Sequence, residues 1–283
     1  MTTLDDALRD ATLVLTQAGL EQPRAEARAL LAHLLNLTSA QILIGGDSPI
    51  EASALARFQE SVSQRCSGMP LAYITGSREF WSLPLQVSSA TLIPRPDTET
   101  LVELVLEHFR NCAPPRSVVD LGTGSGCLLM ALLTEFPDAR GLGIDISADA
   151  LRVAQANAAM LGLDARCDWR AGSWTEVLSD THDLIVANPP YIPSDDIASL
   201  QIDVRDFEPI GALDGGADGL DAYRSLLPAA KKALAEDGVL AVEIGIEQGG
   251  DVTAIALACG LVPGPVRCDL SGIERSLSFY RKK

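Results

Sequence analysis

The sequence has few of the residues that build metal centres or disulfide frameworks. It contains six cysteines and three histidines in 283 residues, and they do not recur at the short spacings of zinc ligands. The absence of a Cys-x-x-Cys pair also argues against a disulfide framework. We therefore predict no metal site and buried, free thiols.

Positive charge is scarce too. The chain carries 22 lysines and arginines against 38 aspartates and glutamates, a formal net charge of -16 at pH 7. Non-specific nucleic-acid binding depends on basic side chains that neutralise phosphates, so this balance argues against a broad nucleic-acid surface. A local basic patch stays open, but we expect no direct nucleic-acid partner.

Long apolar runs are also missing. No stretch approaches the roughly 18 apolar residues that span a membrane, and the first residues contain no basic segment followed by an apolar one. We expect a cytoplasmic protein without membrane contact. Because 47% of the residues are hydrophobic, the chain can bury a full core, which we expect to be shared between one small and one large domain.

Residues 1–70 are predicted to form the small domain, which is helical. Apolar residues recur at helical spacing from Leu4 onward, Pro23 opens a second helical run, and a third covers residues 51–65. The function of this segment cannot be derived from these residues alone.

Residues 71–92 are predicted to be a β-hairpin linker. Short extended runs at 71–74 and 79–81 flank the turn residues Gly76 and Ser77. Two prolines then exclude a helix up to residue 96, after which Asp97 or Thr98 can cap a helix over 101–110.

Residues 93–283 are predicted to form an α/β domain, because strand-like and helical runs alternate from residue 117 onward. Such alternation predicts a mostly parallel sheet with helices on both faces. The strands are expected at 117–121, 141–145, 167–171, 183–187 and 239–244, the helices at 127–135, 148–161 and 220–234, and two further strands within 266–280.

A glycine-rich loop, DLGTGSG at residues 120–126, follows the first of these strands. Its glycines permit a tight turn and a close approach of ligand to backbone. Cys127 stands where the dinucleotide fingerprint has its third glycine, which weakens an NAD interpretation. With the Asp120 carboxylate ahead of the loop, the pattern suits a ligand that has a cationic amino-acid end and no pyrophosphate, such as S-adenosylmethionine.

Two more residues fit a nucleoside ligand at the same edge of the sheet. Asp145 ends the second strand, where a carboxylate can accept both ribose hydroxyls. Trp174 follows the third strand and can lie on the adenine.

A proline-rich tetrad, Asn188-Pro189-Pro190-Tyr191, follows the strand predicted at 183–187. The prolines fix two successive φ angles and push Asn188 toward extended backbone, so the loop is stiff. Proline has no N–H, so the Pro189 carbonyl can point outward beside the side-chain oxygen of Asn188. Two adjacent acceptors fit one planar NH2 group, either of an amide or of an aromatic amine.

Such a nitrogen is a poor nucleophile because its lone pair is delocalised. When it attacks a methyl group, positive charge grows on the nitrogen, and its two N–H groups bind the acceptors more tightly in the transition state. No general base is required beforehand. Tyr191 would add a flat wall or a hydrogen bond to the substrate group.

Taken together, the motifs resemble those of the bacterial peptide chain release factor glutamine N5-methyltransferases, within the class I S-adenosylmethionine-dependent methyltransferases. The resemblance covers nearly the whole chain. The matching segments are residues 78–85, 92–99, 120–126 and 188–191, and Glu208-Pro209 followed by Ala212-Leu213.

The resemblance implies a class I methyltransferase fold of Rossmann-like type, with S-adenosylmethionine as cofactor and S-adenosylhomocysteine as product. It implies methylation of the glutamine in the Gly-Gly-Gln loop of class 1 release factors, which the helical domain would dock. Implied cofactor contacts are Gly122, Thr123, Gly124, Ser125, Gly126, Asp145, Trp174 and Asn188; implied glutamine contacts are Asn188, Pro189, Pro190 and Tyr191, of which Asn188, Pro189 and Tyr191 are assigned to catalysis. Ser173 stands where relatives can have an acidic residue.

Three other functions fit parts of this pattern. A sister group methylates a glutamine of a large-subunit ribosomal protein, and its members differ around residues 95–99. An amino-group methyltransferase of adenine or guanine would use the same tetrad, but the acidic balance argues against it. A non-catalytic scaffold would be favoured by loss of Asn188, which is present.

Overall fold

The computed structural model describes residues 2–282 and divides into two compact units. The helical unit comprises Met1–Ser77 together with Gln201–Phe207, and the α/β unit comprises Arg78–Leu200 together with Glu208–Lys283. The predicted ranges 1–70, 71–92 and 93–283 did not include the return of Gln201–Phe207 to the helical unit.

Twelve α-helices and nine strands are found in residues 2–282. The helices are α1 (Leu4–Gln17), α2 (Pro23–Leu35), α3 (Ser39–Ile44), α4 (Ala52–Cys66), α5 (Leu71–Thr75), α6 (Glu99–Phe109), α7 (Cys127–Glu135), α8 (Ala148–Met160), α9 (Trp174–Val177), α10 (Ile202–Arg205), α11 (Asp221–Ala233) and α12 (Gly249–Ala258). The strands are β1 (Ser77–Phe80), β2 (Leu83–Gln86), β3 (Ser117–Leu121), β4 (Arg140–Asp145), β5 (Cys167–Ala171), β6 (His182–Ala187), β7 (Leu234–Glu243), β8 (Leu261–Cys268) and β9 (Glu274–Arg281).

The helical unit begins with a capped helix and closes around its own core. Thr3 and Asp6 form a capping box at the start of α1, which satisfies two amide groups that the helix leaves free. The apolar faces of α1, α2 and α4 meet, and they bury Leu15, Leu31 and Phe58 almost completely. Hydrophobic burial of this kind stabilises short helices that propensity alone would not hold.

The extended run predicted at 71–74 is wrong. Residues Leu71–Thr75 form α5, which Pro70 precedes and Gly76 ends with a left-handed φ of 66°. Leu71 and Ile74 pack against the core of the helical unit, and this tertiary contact selects one helical turn over a strand.

A hairpin is present within the predicted range 71–92, but its strands are not the two predicted ones, because the first predicted strand is α5. Strands β1 and β2 pair as a two-stranded sheet. Trp81 and Ser82 connect them with φ values of 52° and 58°, the double left-handed conformation that matches the twist of a tight hairpin.

The mostly parallel sheet predicted for the α/β unit is confirmed. Its seven strands lie in the order β5-β4-β3-β6-β7-β9-β8. The first five run parallel, and β9 is antiparallel to both β7 and β8. Two strands are thus found at the end of the chain, but β8 begins at Leu261, before the predicted stretch 266–280, and β9 lies close to where a strand was predicted. The chain reverses its direction across the sheet between β3 and β6, where parallel α/β sheets bind ligands.

Helices cover both faces of this sheet, as predicted. Val118 of β3 packs with α6 and α7 on one face, while its neighbour Val119 packs with α11 and α12 on the other. Helix α12 was not predicted, because its sequence is apolar almost throughout and has no clear helical period.

The cysteines differ from the prediction. All six are free, but Cys112 and Cys268 are exposed and only Cys167 is fully buried. Within residues 2–282, no group of histidine, cysteine or acidic side chains could hold a metal ion. In the same range no helix has both the length and the apolar character that crossing a bilayer requires.

Candidate active site

A cavity of about 510 Å³ opens at the carboxyl ends of β3, β4 and β6. Its volume lies in the range of small-molecule and cofactor sites. The loop after β3, the end of β4, the start of α9 and the loop after β6 all contribute to its wall. The site therefore lies where the strand order reverses.

The glycine loop after β3 forms the floor of the cavity. Gly122, Gly124 and Gly126 have φ values of 74°, 54° and 80°, a region that side chains with a Cβ rarely adopt. The Gly122 and Thr123 amides donate to the Ile144 carbonyl at 2.8 and 3.0 Å, which ties the loop to β4.

Gly126 differs from the other predicted loop residues. Gly122, Thr123, Gly124 and Ser125 line the cavity, whereas Gly126 does not. It precedes α7, and a Cβ added there would lie 3.2 Å from the Cβ of Ala154 on α8. The lack of a side chain at Gly126 therefore allows α7 and α8 to approach each other closely. A cofactor contact by Gly126 stays a prediction.

Two carboxylates border the glycine loop. Asp145 accepts hydrogen bonds from the amides of Gly124 at 2.9 Å and Ser147 at 2.8 Å. Asp120 is buried, and burial raises its pKa to about 7, against the lowering effect of the Thr123 hydroxyl that donates to it at 2.7 Å. Both residues line the cavity, so this end of the site favours a cationic ligand group.

Trp174 and Ser173 form the wall at the start of α9. The Trp174 ring lies beside Gly122, and its indole N–H donates to the Ser225 hydroxyl at 3.2 Å. Ser173 caps α9 through its hydroxyl and is one of the residues that line the cavity.

The tetrad forms the opposite wall. Asn188, Pro189 and Pro190 line the cavity directly after β6. The Asn188 side-chain NH2 donates to the Thr98 hydroxyl at 3.2 Å. Among residues 2–282, no group donates a hydrogen bond to the Asn188 side-chain oxygen or to the Pro189 carbonyl. Both acceptors are thus available to a ligand.

Tyr191 lies behind this wall and is not part of the cavity lining. Its hydroxyl donates to Glu243 at 3.2 Å, and its carbonyl accepts from Gln248 at 2.9 Å. Burial raises the pKa of Tyr191 above its ordinary value, and the Glu243 carboxylate raises it further. These contacts anchor the tetrad, and a contact between Tyr191 and the substrate stays a prediction.

Glu243 was not predicted as part of the site. It ends β7, and its parallel pairing with β6 matches Val242 to Ala187, so that Glu243 comes level with Asn188. Burial raises the pKa of Glu243 to about 7, and hydrogen bonding by the side chains of Thr98 and Tyr191 lowers it. A lone glutamate after an apolar strand gives no signal of this role in the sequence.

An ion pair at the cavity rim was also not predicted. Arg95 lines the cavity, and its guanidinium donates to the buried Glu208 carboxylate at 2.6 Å. Glu208 also accepts from the Ile93 amide at 3.4 Å. The pair joins two of the segments that carry the resemblance, 92–99 and 208–213, but nothing in either segment predicts the pairing.

Comparisons with known proteins agree with this architecture. The sequence matches the PrmC N-terminal domain family over residues 6–76 and the methyltransferase small domain family over residues 96–202. It is 47% identical to the release factor glutamine methyltransferase of Rhodospirillum rubrum, over 94% of this chain and 81% of the relative. Its identity to the enzyme of that name from Moorella thermoacetica is 44%, over 99% of each chain.

A solved structure supports the fold alone. The catalytic domain of hMettl16, in complex with the MAT2A 3'UTR hairpin 6, superposes with a TM-score of 0.57 at 15% identity. The match covers 82% of this chain and 83% of that chain.

Proposed function

The chain belongs to the family of release factor glutamine methyltransferases, and from that membership we propose that it methylates the side-chain amide nitrogen (N5) of one release factor glutamine. The glutamine is that of the Gly-Gly-Gln loop of class 1 release factors, as the resemblance implies. The methyl donor is S-adenosylmethionine and the product is S-adenosylhomocysteine.

The residues around the cavity fit this donor. S-Adenosylmethionine carries an ammonium group and a sulfonium group, and the cavity is bordered by the carboxylates of Asp120 and Asp145. The left-handed glycines Gly122 and Gly124 leave the loop without side chains beside these carboxylates. In this proposal Asp145 holds the ribose, Trp174 contacts the adenine, and the loop from Gly122 to Ser125 cradles the amino-acid end.

The observation that carries the proposal is the pair of open acceptors at Asn188 and Pro189. When bound, the donor supplies a methyl group on a sulfonium sulfur, which is the electrophile. The Asn188 side-chain oxygen and the Pro189 carbonyl would bind the two N–H groups of the glutamine amide and hold its nitrogen in place. The prolines fix the backbone that carries the Pro189 carbonyl, and the hydrogen bond to Thr98 holds the Asn188 side chain, so the acceptors do not have to be ordered when the substrate arrives.

These acceptors bind the reacting nitrogen most tightly as it becomes positive. Transfer of the methyl group would leave the glutamine nitrogen positively charged, and that nitrogen would then release one proton to water. A hydrogen bond of this kind, realised fully only in the transition state, stabilises it by about 3 kcal/mol. No side chain has to remove a proton before the transfer.

The experiment offers three substrate classes to the purified protein with labelled S-adenosylmethionine. We expect label on a class 1 release factor, and much less on a large-subunit ribosomal protein or on a nucleic acid. Predominant label on either of the other two would contradict the proposal. Asn188→Ala should label the release factor far less than wild type does, whereas the matched control Asn111→Ala, at an exposed position, should label it like wild type.

A further inference from the structure

The Glu243 carboxyl lies behind the tetrad and is not used in the steps above. Its residue is 1% exposed. One carboxyl oxygen, Oε1, accepts from the Tyr191 hydroxyl at 3.2 Å. The other, Oε2, is buried and has no hydrogen-bond partner of good geometry among residues 2–282. An incompletely satisfied buried carboxyl is costly, so its presence beside the site calls for a physical reason.

Thr98 connects this carboxyl to Asn188. It stands at the N-terminal end of α6, where a threonine commonly caps the helix, yet its side chain makes no capping hydrogen bond. The residue is 2% exposed. Its hydroxyl accepts from the Asn188 NH2 group at 3.2 Å. Among residues 2–282 no hydrogen bond gives the hydroxyl proton an acceptor, while Glu243 Oε2 lacks a donor, and hydrogen bonding by the Thr98 side chain lowers the pKa of Glu243.

The direction of these hydrogen bonds decides which end of the Asn188 amide faces the cavity. A hydroxyl has one proton and two lone pairs. When the Thr98 proton is directed at the carboxyl, only lone pairs remain for Asn188, so the NH2 group turns toward Thr98. The Asn188 oxygen then turns away from Thr98. If the Asn188 amide were rotated by about 180°, its shape would be nearly unchanged, but its NH2 group would face the NH2 group of the substrate.

We infer that Thr98 and Glu243 are positioning residues that fix the orientation of the Asn188 amide, so that its oxygen is presented to the substrate amide. The inference rests on the proposed function, in which that oxygen binds the reacting NH2 group. Glu243 also holds the other end of the tetrad through the Tyr191 hydroxyl. One buried carboxyl thereby sets both the position of the loop and the polarity of its reactive end.

Other groups near the carboxyl already have partners. Arg275 of β9 pairs with Asp97 at 3.3 Å and with Asp269 at 2.9 Å. The Tyr223 hydroxyl donates to the backbone carbonyl of Glu243 at 2.8 Å and so does not satisfy its side chain. Thr98 and Tyr191 are therefore the side-chain donors that the carboxyl orients.

The test compares Thr98→Val, Thr98→Ser and Glu243→Gln with wild type, using a release factor as substrate. Thr98→Val keeps the shape and removes the hydroxyl, so kcat should fall roughly ten- to hundred-fold, as expected for a misoriented catalytic group. KM for the release factor and the affinity for S-adenosylmethionine, measured by calorimetry, should change much less. Thr98→Ser restores a hydroxyl and should restore most of kcat.

At pH 8, where the Glu243 carboxyl is ionised, Glu243→Gln replaces one acceptor by a donor and should also lower kcat. Because both residues act through Asn188, the double variant Thr98→Val/Glu243→Gln should have a kcat only slightly lower than that of the slower single variant. The matched control is Thr100→Val: Thr100 is also a buried threonine, but its hydroxyl bonds the Asp97 carbonyl and Ser276. This control should keep the wild-type kcat.

Unchanged kcat in Thr98→Val, or additive losses in the double variant, would overturn the inference while leaving the proposed function intact. Equal losses in Thr98→Ser and Thr98→Val would also overturn it, because the hydroxyl would then not be the active feature. A wild-type protein that methylates no release factor would overturn the proposed function and this inference together.

Discussion

At the scale of single residues, Asn188 uses the two ends of one amide for different purposes. Its NH2 group is bound to Thr98, and its oxygen is free for a ligand. We therefore expect aspartate, which has no NH2, and alanine, which has neither group, to be poor replacements for Asn188. The neighbouring Pro189 carbonyl depends on the backbone and is unaffected by such substitutions.

Asn188→Ala should lower kcat by about 10²- to 10³-fold, the loss seen when one transition-state hydrogen bond is removed. The affinity for S-adenosylmethionine should fall by a much smaller factor, because most of the proposed cofactor contacts lie on the loop after β3 and on Asp145. Steady-state kinetics and calorimetry measure the two effects. A variant with wild-type kcat would rule out the role of this amide.

Glu243 links the site to the pH dependence of stability. Its pKa is raised by burial from 4.5 to about 7, so the folded protein keeps a proton that the unfolded chain loses. The resulting stabilisation is complete below pH 4.5 and is lost as the pH rises through 7, a change of about 3 kcal/mol.

Glu243→Gln should therefore raise the free energy of unfolding at pH 8, relative to wild type, more than at pH 5. Denaturant unfolding at both pH values measures the difference, and Glu236→Gln, at an exposed position of the same strand, should show none. A variant that is more stable but slower would separate the positioning role of Glu243 from a purely structural one. Equal effects at both pH values would contradict the raised pKa.

The site could be predicted from sequence only where the motif is continuous. The tetrad, the glycine loop and Asp145 each follow a predicted strand, and the edge of a parallel sheet brings such residues together. Thr98 and Glu243 lie 90 and 55 positions from Asn188, counted from the numbering. Whether Thr98 and Glu243 come close to Asn188 depends on how the chain folds and on the register in which the strands pair, which a single sequence does not specify.

At the scale of secondary structure elements, patterns with a clear period predicted the parallel strands and their helices. The wrong or missing predictions concern segments whose secondary structure depends on tertiary contacts. Residues 71–74 are β-branched or aromatic only in part, and packing against the helical core turns them into α5. Helix α12 has no polar face to reveal its period.

The turn of the hairpin between β1 and β2 has a strained backbone. Ser82 has a left-handed φ of 58°, which glycine adopts without steric cost. Ser82→Gly should raise the free energy of unfolding by about 0.5–1 kcal/mol, measured by thermal unfolding. Ser77→Gly, an equally small change inside β1, should lower it by a similar amount. Destabilisation by Ser82→Gly would contradict this account of the turn.

At the scale of the whole molecule, the helical unit is an addition to the catalytic α/β unit. It has its own hydrophobic core and takes in residues 201–207, which follow the tetrad in sequence. We propose that it docks the body of the release factor, as the resemblance implies. Such docking makes delivery of the glutamine loop an intramolecular step and raises its effective concentration.

Intact release factor should therefore be a far better substrate than a short Gly-Gly-Gln peptide. We expect kcat/KM to be at least roughly 10²-fold higher for the intact protein, mostly through KM, because a second contact surface contributes in this range. Steady-state kinetics with both substrates provide the measurement. Equal kcat/KM values would show that the loop alone is recognised.

Fragment mass spectrometry of the modified release factor would show whether the protein methylates one glutamine side-chain nitrogen. After reaction with wild-type protein we expect a single added methyl group on the side chain of the Gly-Gly-Gln glutamine, and almost none after reaction with Asn188→Ala. A methyl group on another residue, on a backbone nitrogen, or in equal yield with the variant would contradict this expectation.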